Sequence, residues 1–539
     1  MLTLAISPCP NDTFIFAAMA HQTARYRLVL DDVEALNQGA EEGAFDIVKI
    51  SVAAYGRIEP DYALLRAGGA AGFGVGPLLV AAAPPSPDGK LRQIVQPVSG
   101  EQMKQTVEKL VSFGTRHTLS SQTDPKRGIG AAVRWAEAEM KSFGLNTLQT
   151  CDTVTGRRVP TPTKVCNSVA IQRGTERPND VVIITGHIDS RVTDPMNFTA
   201  DAPGANDDGS GTAAVIEAAR VLSKHKFPGT IVYAALSGEE QGLLGGKILA
   251  DYAKAQGWNV IANLNNDIIG NSCGSDGVCN DKVVRVFSEG PRWQGHEELA
   301  KQIRSLGGEN DAPSRNISRY LDSLAERLNI GLDVMQVWRN DRFGRGGDHT
   351  EFLNAGFPAV RLSVAVEDYE HQHQDLRTEK GIKYGDTIDE MDFPYLEKVT
   401  KLNVAALAAL ASAPPPPEPK VEGAVSTDTT VSWSQLLDVS NYLVRWRATD
   451  SNNWQKAARA ERPKACGLAE HTTLDINKDK GEITSGWTFP PCKMVLEGVR
   501  VDDWVFGVSA VSQDGFESPV ASAIPGGAFK PYIALPPQP

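Results

Sequence analysis

Short apolar runs recur through the middle of the chain: VVIIT (181–185), TIVYAALS (230–237) and AVRLSVA (359–365). Their length and branched side chains read as buried strands. Between the first two lies GTAAVIEAARVLSKH (211–225), whose alanines and branched apolar residues recur at helical spacing. Strand, helix, strand, helix over this length predicts an α/β fold, a mostly parallel sheet with helices on both faces. In such sheets, sites form at the carboxyl ends of strands. The pattern changes after Lys420, where TVSWS, NYLVRWRA and DDWVFGVSAVS alternate between turn-rich segments. Tyr442, Val444 and Trp446 would share one strand face, and Arg445 and Arg447 the other. That is the pattern of an all-β sandwich of about immunoglobulin size.

Two proline-rich breaks, AAAPPSPDGK (81–90) and ASAPPPPEPK (411–420), divide the chain. They predict a short α/β segment over 1–82, a linker over 83–90, a central domain over 91–411, a stiff spacer over 412–420 and the β-domain over 421–530. A length of 539 residues exceeds what one core supports. The net charge of −12 argues against nucleic acid or an anionic membrane as the main partner. No apolar run is long enough for a transmembrane helix, and MLTLAISPCPNDTF lacks the basic and apolar regions of a signal peptide. The seven cysteines point elsewhere. With Cys9 set aside, proximity pairs Cys151 with Cys166, Cys273 with Cys279 and Cys466 with Cys492. Such bridges place the body of the chain in an oxidising compartment, extracellular or periplasmic.

Candidate chemistry follows the predicted strands. GHIDS presents His187 at a strand end, with Asp189 two residues on, able to orient the ring. PGANDDGSG sets Asp207 and Asp208 in a glycine-rich turn before a helix, where Asp208 also reads as an N-cap. SGEEQGLLG offers Glu239 and Glu240, one free to act as a base while the other binds metal. The same pair also suits a helix start. NLNNDIIG places Asp267 after a further apolar run, and VEDYEHQHQD supplies His371 and His373. Each element alone is common, but the ordered set of carboxylates and imidazoles on one sheet rim is not. Without thiolates it does not read as a structural zinc site.

From about Leu91 to Ala411 the chain resembles the co-catalytic zinc aminopeptidase family, which also includes glutamate carboxypeptidases and glutaminyl cyclases. GHIDS, PGANDDGSG, SGEEQGLLG, NNDIIG and GGDHTEFLNAGFPAV stand in that family's order. The resemblance implies two zinc ions bridged by Asp207, with His187 and Asp267 completing one site and Glu240 and His373 the other. It makes Glu239 the general base, gives Asp189 the orienting role and puts a cis peptide before Asp208; Asp348 and His349 match a family motif without a role. The last ligand departs from the family's usual YHT motif: in YEHQHQDLRTE it is His373, with His371 the alternative. Residues 291–347 form a longer helical stretch than minimal members carry, expected to roof the substrate pocket. The expected activity is removal of N-terminal residues from peptides. The alternatives are a single-zinc glutaminyl cyclase, a carboxypeptidase-like enzyme and a non-catalytic binding protein.

Trp433 and the DGFESPVAS ending make the tail similar to fibronectin type III domains, a module suited to a surface or polymer ligand. SPCPNDTF, DVEALNQGAEEGAFDIVKISVAAYGRI and AGGAAGFGVGPLLVA, within 1–82, resemble the first part of dihydroxynaphthoate synthase of the futalosine route to menaquinone. That segment has too few elements to close a core or enclose a substrate, so no synthase activity is expected of it. It reads as a fused or misassembled frame, or a chimera.

Overall fold

The apolar runs of the central region become the inner strands of one eight-stranded sheet. Its strands are β1 (Asn146–Gly156), β2 (Val159–Gln172), β3 (Arg177–His187), β4 (Gly229–Leu236), β5 (Asn259–Asn266), β6 (Val283–Ser288), β7 (Asp333–Val337) and β8 (Ala359–Val364). The computed structural model describes residues 2–6, 26–51, 62–64, 77–82, 86–292, 296–436, 438–467, 470–477, 482–523 and 531. Across the sheet the order is β7-β6-β8-β5-β3-β4-β2-β1. The pairings β8-β5, β5-β3 and β3-β4 are parallel, as is β6-β7. The pairings β6-β8, β4-β2 and β2-β1 are antiparallel. The sheet is therefore parallel at its centre, where strand ends carry the candidate residues, and mixed toward its flanks. The cause is connection length: Gly156 to Val159 is too short for the crossover a parallel pair needs.

Alternation along β3 sorts its side chains between two layers. Val182 and Ile184 enter a core shared with α1 (Gly100–Val111), α2 (Ile129–Ser142), α3 (Gly209–Leu222) and α7 (Phe393–Ser412). Val181 and Ile183 face α4 (Leu244–Ala255) and α6 (His349–Ala355) across the sheet. Helices thus cover both faces, as the pattern predicts. In α3 every residue but Arg220 is buried. Alanines on its flanks let the sheet, α1 and α7 all approach, so the helix that begins beside Asp207 and Asp208 is clamped on all sides.

Beyond the second proline break, besides a two-stranded antiparallel sheet of Glu470–Asn477 and Glu482–Thr488, lie two larger antiparallel sheets. β9 (Pro419–Glu422), β10 (Thr429–Trp433) and β13 (Cys492–Leu496) form one; β11 (Asn441–Ala448), β12 (Lys456–Glu461), β14 (Trp504–Val511) and β15 (Ala521–Ser522) form the other. Val431, Trp433, Tyr442, Val444 and Phe506 fill the space between them. Arg447 does not face water: its Nη2 donates to Asp311 Oδ2 at 2.7 Å, and both side chains are buried. The outer face of β11 is a seam with the central region, closed further by Asn316 donating to Ser522 Oγ and Arg319 to the Asn452 carbonyl. One expectation is corrected here. The stretch 291–347 does not roof the pocket as a whole: its helix α5 (Pro313–Leu328) is committed to this seam and to the sheet. Three disulfides join Cys151 to Cys166, Cys273 to Cys279 and Cys466 to Cys492, the pairing expected from proximity.

All of this belongs to the compact unit Lys90–Pro539; Met1–Gly89 forms a separate one. In the latter, strands Tyr26–Leu30, Leu2–Ile6, Ile47–Ser51, Pro77–Ala82 and Tyr62–Leu64 pair in that order. The helix Val33–Glu41 is capped by the Asp32 carboxylate and packs on them through Leu36 and Ala40. Among the described residues its buried cluster comprises Ala5, Leu36, Ala40, Val48 and Ile50. Cys9, the SPCPNDTF motif and residues 83–85 of the first break lie outside the described residues.

Candidate metal centre

The carboxyl ends of β3, β4 and β5 point to one place, and the residues following them meet there. His187 ends β3, and its Nε2 lies 3.1 Å from Asp207 Oδ1 and 3.9 Å from Asp267 Oδ1. The other oxygen of Asp207, Oδ2, lies 2.7 Å from His373 Nε2, which is also 2.9 Å from Glu240 Oε1. Two clusters result, His187–Asp207–Asp267 and Asp207–Glu240–His373, each with its ligand atoms within 4.8 Å of one another. They share Asp207. His371 is turned away: its Nδ1 lies 2.5 Å from Asp368 Oδ2, and its Nε2 faces Glu390.

Asp189 ties three of these elements together. The His187 Nδ1 side of the ring faces the Asp189 carbonyl at 3.1 Å and its Oδ1 at 3.5 Å, which leaves Nε2 aimed at Asp207. The same carboxylate accepts the Glu239 and Glu240 backbone N–H groups, each at 3.2 Å, and the Thr118 hydroxyl. Asp208 does similar work behind the site. It caps α3 through the Gly211 N–H, as its N-cap reading requires, and also accepts the N–H groups of His187 and Ile268. Gly211 is obligatory there, since a Cβ would fall 2.3 Å from Asp208 Oδ2 and from the Asn266 carbonyl. The Asp207–Asp208 peptide is cis. Ile268 sits at φ 60°, a conformation β-branched residues avoid, held by its N–H on Asp208 and its carbonyl on the Val364 N–H.

Electrostatically the clusters are tense. Burial disfavours the charged His187 ring, yet contacts with Asp189 and Asp207 raise its pKa well above normal. His373 behaves alike: burial opposes charge, but Glu240 and Asp207 bring it to about 10. Glu240 falls to about 2, burial being outweighed chiefly by His373. Burial drives Glu239 well above the carboxylate range, with His187 opposing and Glu240, Asp267 and Asp348 adding to the rise. The donor set fits divalent zinc: imidazole nitrogens and carboxylate oxygens converge without thiolates. Glu240 Oε1 supplies a direct sign. It is buried and, though 2.9 Å from His373 Nε2, has no donor aimed along a hydrogen bond. An orphaned buried carboxylate oxygen is costly unless a cation satisfies it.

Several residues of the site carry no motif. Arg361 is fully buried: its Nη1 donates to Asp341 Oδ1 at 2.6 Å, and its Nη2 donates to the Asp267 carbonyl at 3.2 Å and lies 2.8 Å from Asp267 Oδ1. Its signal was a guanidinium in the middle of AVRLSVA, a cost that demands carboxylate partners. Arg191 Nε donates to Glu240 Oε2 at 2.7 Å, and its Nη2 lies 2.6 Å from His373 Nδ1. Asp386 accepts the backbone N–H groups of Asn206 and Asp207 and so aims the shared carboxylate. Gln372 donates to Asp207 Oδ2 at 2.9 Å. Asp348 accepts the Gly246 N–H, and His349 Nε2 lies 2.8 Å from the Asn340 carbonyl; both are buried. A pocket of about 330 Å³ opens on Asp207, Glu239, Glu240, Asp267 and His373.

A parallel-centred α/β sheet with this rim of ligands is the architecture of a metal-dependent hydrolase. A family model described as peptidase family M28 matches residues 167–391, which hold all five candidate ligands. A probable zinc metalloprotease of Pyrenophora tritici-repentis is 40% identical over 456 residues, covering 82% of this chain and 88% of that protein. One from Leptosphaeria maculans is 40% identical over 453 residues, covering 82% and 98%. Among solved structures, the LapA aminopeptidase of Legionella pneumophila aligns with a TM-score of 0.44 and 20% identity over 60% of this chain and 72% of its own. A second family model, described as menaquinone biosynthesis, matches residues 2–105. The chain belongs to peptidase family M28 and is a zinc metallopeptidase.

Proposed function

We propose that the chain is an exopeptidase that removes N-terminal residues from peptides, using two zinc ions. The observation that carries this is Asp207, whose two oxygens each face a different imidazole within a different three-residue cluster. One site would be His187, Asp207 and Asp267, the other Asp207, Glu240 and His373. Zinc, when bound, acidifies water and polarises a carbonyl. The protein's part is positioning. Asp189 holds His187 with Nε2 toward the cluster and fixes the backbone of Glu239 and Glu240 through their amides. Glu239 lines the pocket beside its ligand neighbour Glu240. There it would take the proton of the attacking water and return it to the departing amine.

The three disulfides support maturation in an oxidising compartment. Among the described residues no helix is long and apolar enough to cross a membrane. The two larger C-terminal sheets, of three and four strands, support a fibronectin type III-like module. The test is zinc content per chain alongside hydrolysis of an aminoacyl-anilide panel. Glu239→Gln should keep its zinc and lose turnover by about 10²–10⁴-fold. Undiminished activity in that variant would remove Glu239 from the base role, and zinc-loaded protein that cleaves no N-terminal bond would remove the aminopeptidase reading.

A further inference from the structure

The pocket wall opposite in charge to the metal ligands is unusual for a site meant to hold a neutral side chain. Besides the ligands and Glu239 it is lined by Arg158, Arg342 and Arg345, and among the described residues Leu243 is its one large apolar residue. An apolar N-terminal side chain would find little surface to bury against there.

The arginines come from two elements. Arg158 sits in the β1–β2 turn, and its Nη1 donates to the Glu240 carbonyl at 2.7 Å, so this contact leaves its charge without a carboxylate. Arg342 and Arg345 lie in the loop between β7 and α6. Their counter-charges are heavily shared. Glu367 faces Arg285 at 2.8 Å, Arg342 at 3.4 Å and Arg345 at 2.7 Å. Asp341 serves both Arg342 at 3.0 Å and Arg361 at 2.6 Å. With Asp267, which also faces Arg361 at 2.8 Å, three carboxylates answer four guanidiniums, and only Glu367 faces Arg345. The buried acids fix the arginines in place without cancelling them. Of the two loop arginines Arg345 is the more open, its side chain one-third exposed against 8% for Arg342. A planar guanidinium held in this way is pre-organised to bind a carboxylate by paired hydrogen bonds.

We propose that this wall receives a substrate carboxylate, with Arg345 as its main contact and Arg158 and Arg342 supplying further positive charge. The substrates are then peptides carrying a carboxylate close to the scissile bond. It is either an acidic side chain on the N-terminal residue or the free C-terminus of a dipeptide. The inference rests on the exopeptidase reading for its substrate, though not for its binding chemistry.

Isosteric pairs isolate that charge. Calorimetric titration of the zinc-loaded full chain with L-glutamate and with L-glutamine tests the side-chain source without any turnover. Hydrolysis of Leu-Leu and of Leu-Leu-amide tests the C-terminal source. The acidic member of at least one pair is favoured roughly tenfold or more, the worth of a hydrogen bond to a charged group. Arg345→Gln erases most of that ratio, and Arg345→Lys restores part of it. If Arg345→Gln does not fold for want of its Glu367 partner, the wild-type pairs and Arg158→Gln decide instead. Equal behaviour within both pairs overturns the proposal, whether or not peptides are cleaved. Glutamate bound tenfold more tightly than glutamine with no hydrolysis of any peptide upholds the carboxylate site and overturns the aminopeptidase reading.

Discussion

Asp189→Asn changes almost no volume, yet it should weaken metal binding, because the side chain is fully buried among groups that all donate to it. Its Oδ1 accepts the Glu239 N–H and its Oδ2 the Glu240 N–H and the Thr118 hydroxyl, at 3.2 Å each. Oδ1 also faces His187 Nδ1 at 3.5 Å. An amide has one acceptor oxygen, so either orientation aims an NH2 group at a backbone N–H. Losing a hydrogen bond to a charged group costs about 1.5–3 kcal/mol, and these long contacts belong at the lower end. The His187 ring keeps the Asp189 carbonyl that fixes its tautomer but loses the carboxylate charge beside Nδ1, and loss of such an outer partner is typically worth about 10–100-fold in metal affinity. The assay is competition with a chelator of known affinity on wild type and variant, with urea midpoints measured in parallel. The expected result is a fall in zinc affinity of at least about tenfold, accompanied by reduced kcat/KM. A variant that is merely less stable, binding zinc within about twofold of wild type, would refute the orienting role and leave Asp189 as a packing residue.

Two further outcomes test the surrounding charge network. Arg447→Met strands the Asp311 carboxylate in the seam below the C-terminal sheets and should cost about 3–5 kcal/mol in urea denaturation. A loss under about 1 kcal/mol would mean that water already reaches Asp311. Glu367 is pulled below the usual glutamate range: burial opposes this, but Arg342, Arg285 and Arg345 prevail. Its stabilisation is therefore complete above the unfolded pKa of about 4.3 and is lost as the pH falls through the lower folded value. Stability followed below pH 5 should decline less steeply in Glu367→Gln than in wild type, and identical slopes would exclude Glu367 as a contributor.

What was legible along the chain was everything written locally. The strand ends announce themselves as apolar runs closed by GHIDS, SGEE and NNDIIG, and the structure gathers His187, Glu239, Glu240 and Asp267 accordingly. The helix after Asp208 was visible as a cap followed by helical spacing, and it runs Gly209–Leu222. What was not legible depends on partners distant in sequence. Whether Arg447 faces water or a neighbour cannot be read from the alternation of β11, because Asp311 lies 136 residues away. The role of Asp386 rests on the backbone of Asn206 and Asp207, contacts that leave no pattern around GDTID. The arginine wall escaped for the same reason: Arg158 and Arg345 are brought together only by the fold.

The centre and the wall answer one electrostatic problem from two sides. Without metal, the carboxylates of Asp207, Glu240 and Asp267 are offset within the chain by the raised imidazoles of His187 and His373 and by Arg191 and Arg361. Metal ligation requires both rings to be neutral, which would leave buried negative charge for the metal to offset. A divalent ion in each of the two proposed sites would reverse the balance, so metal binding would contribute to the stability of the fold as well as to chemistry. Once reversed, the pocket becomes a region of positive potential, and the arginines beside it would then add to a repulsion. Glu367 and Asp341 limit that cost by holding the guanidiniums from behind. A substrate carboxylate would remove the rest. An arginine wall next to a metal-loaded centre is hard to rationalise for a neutral ligand, since it spends stability on charge that nothing meets. It follows directly if the ligand itself brings the missing anion.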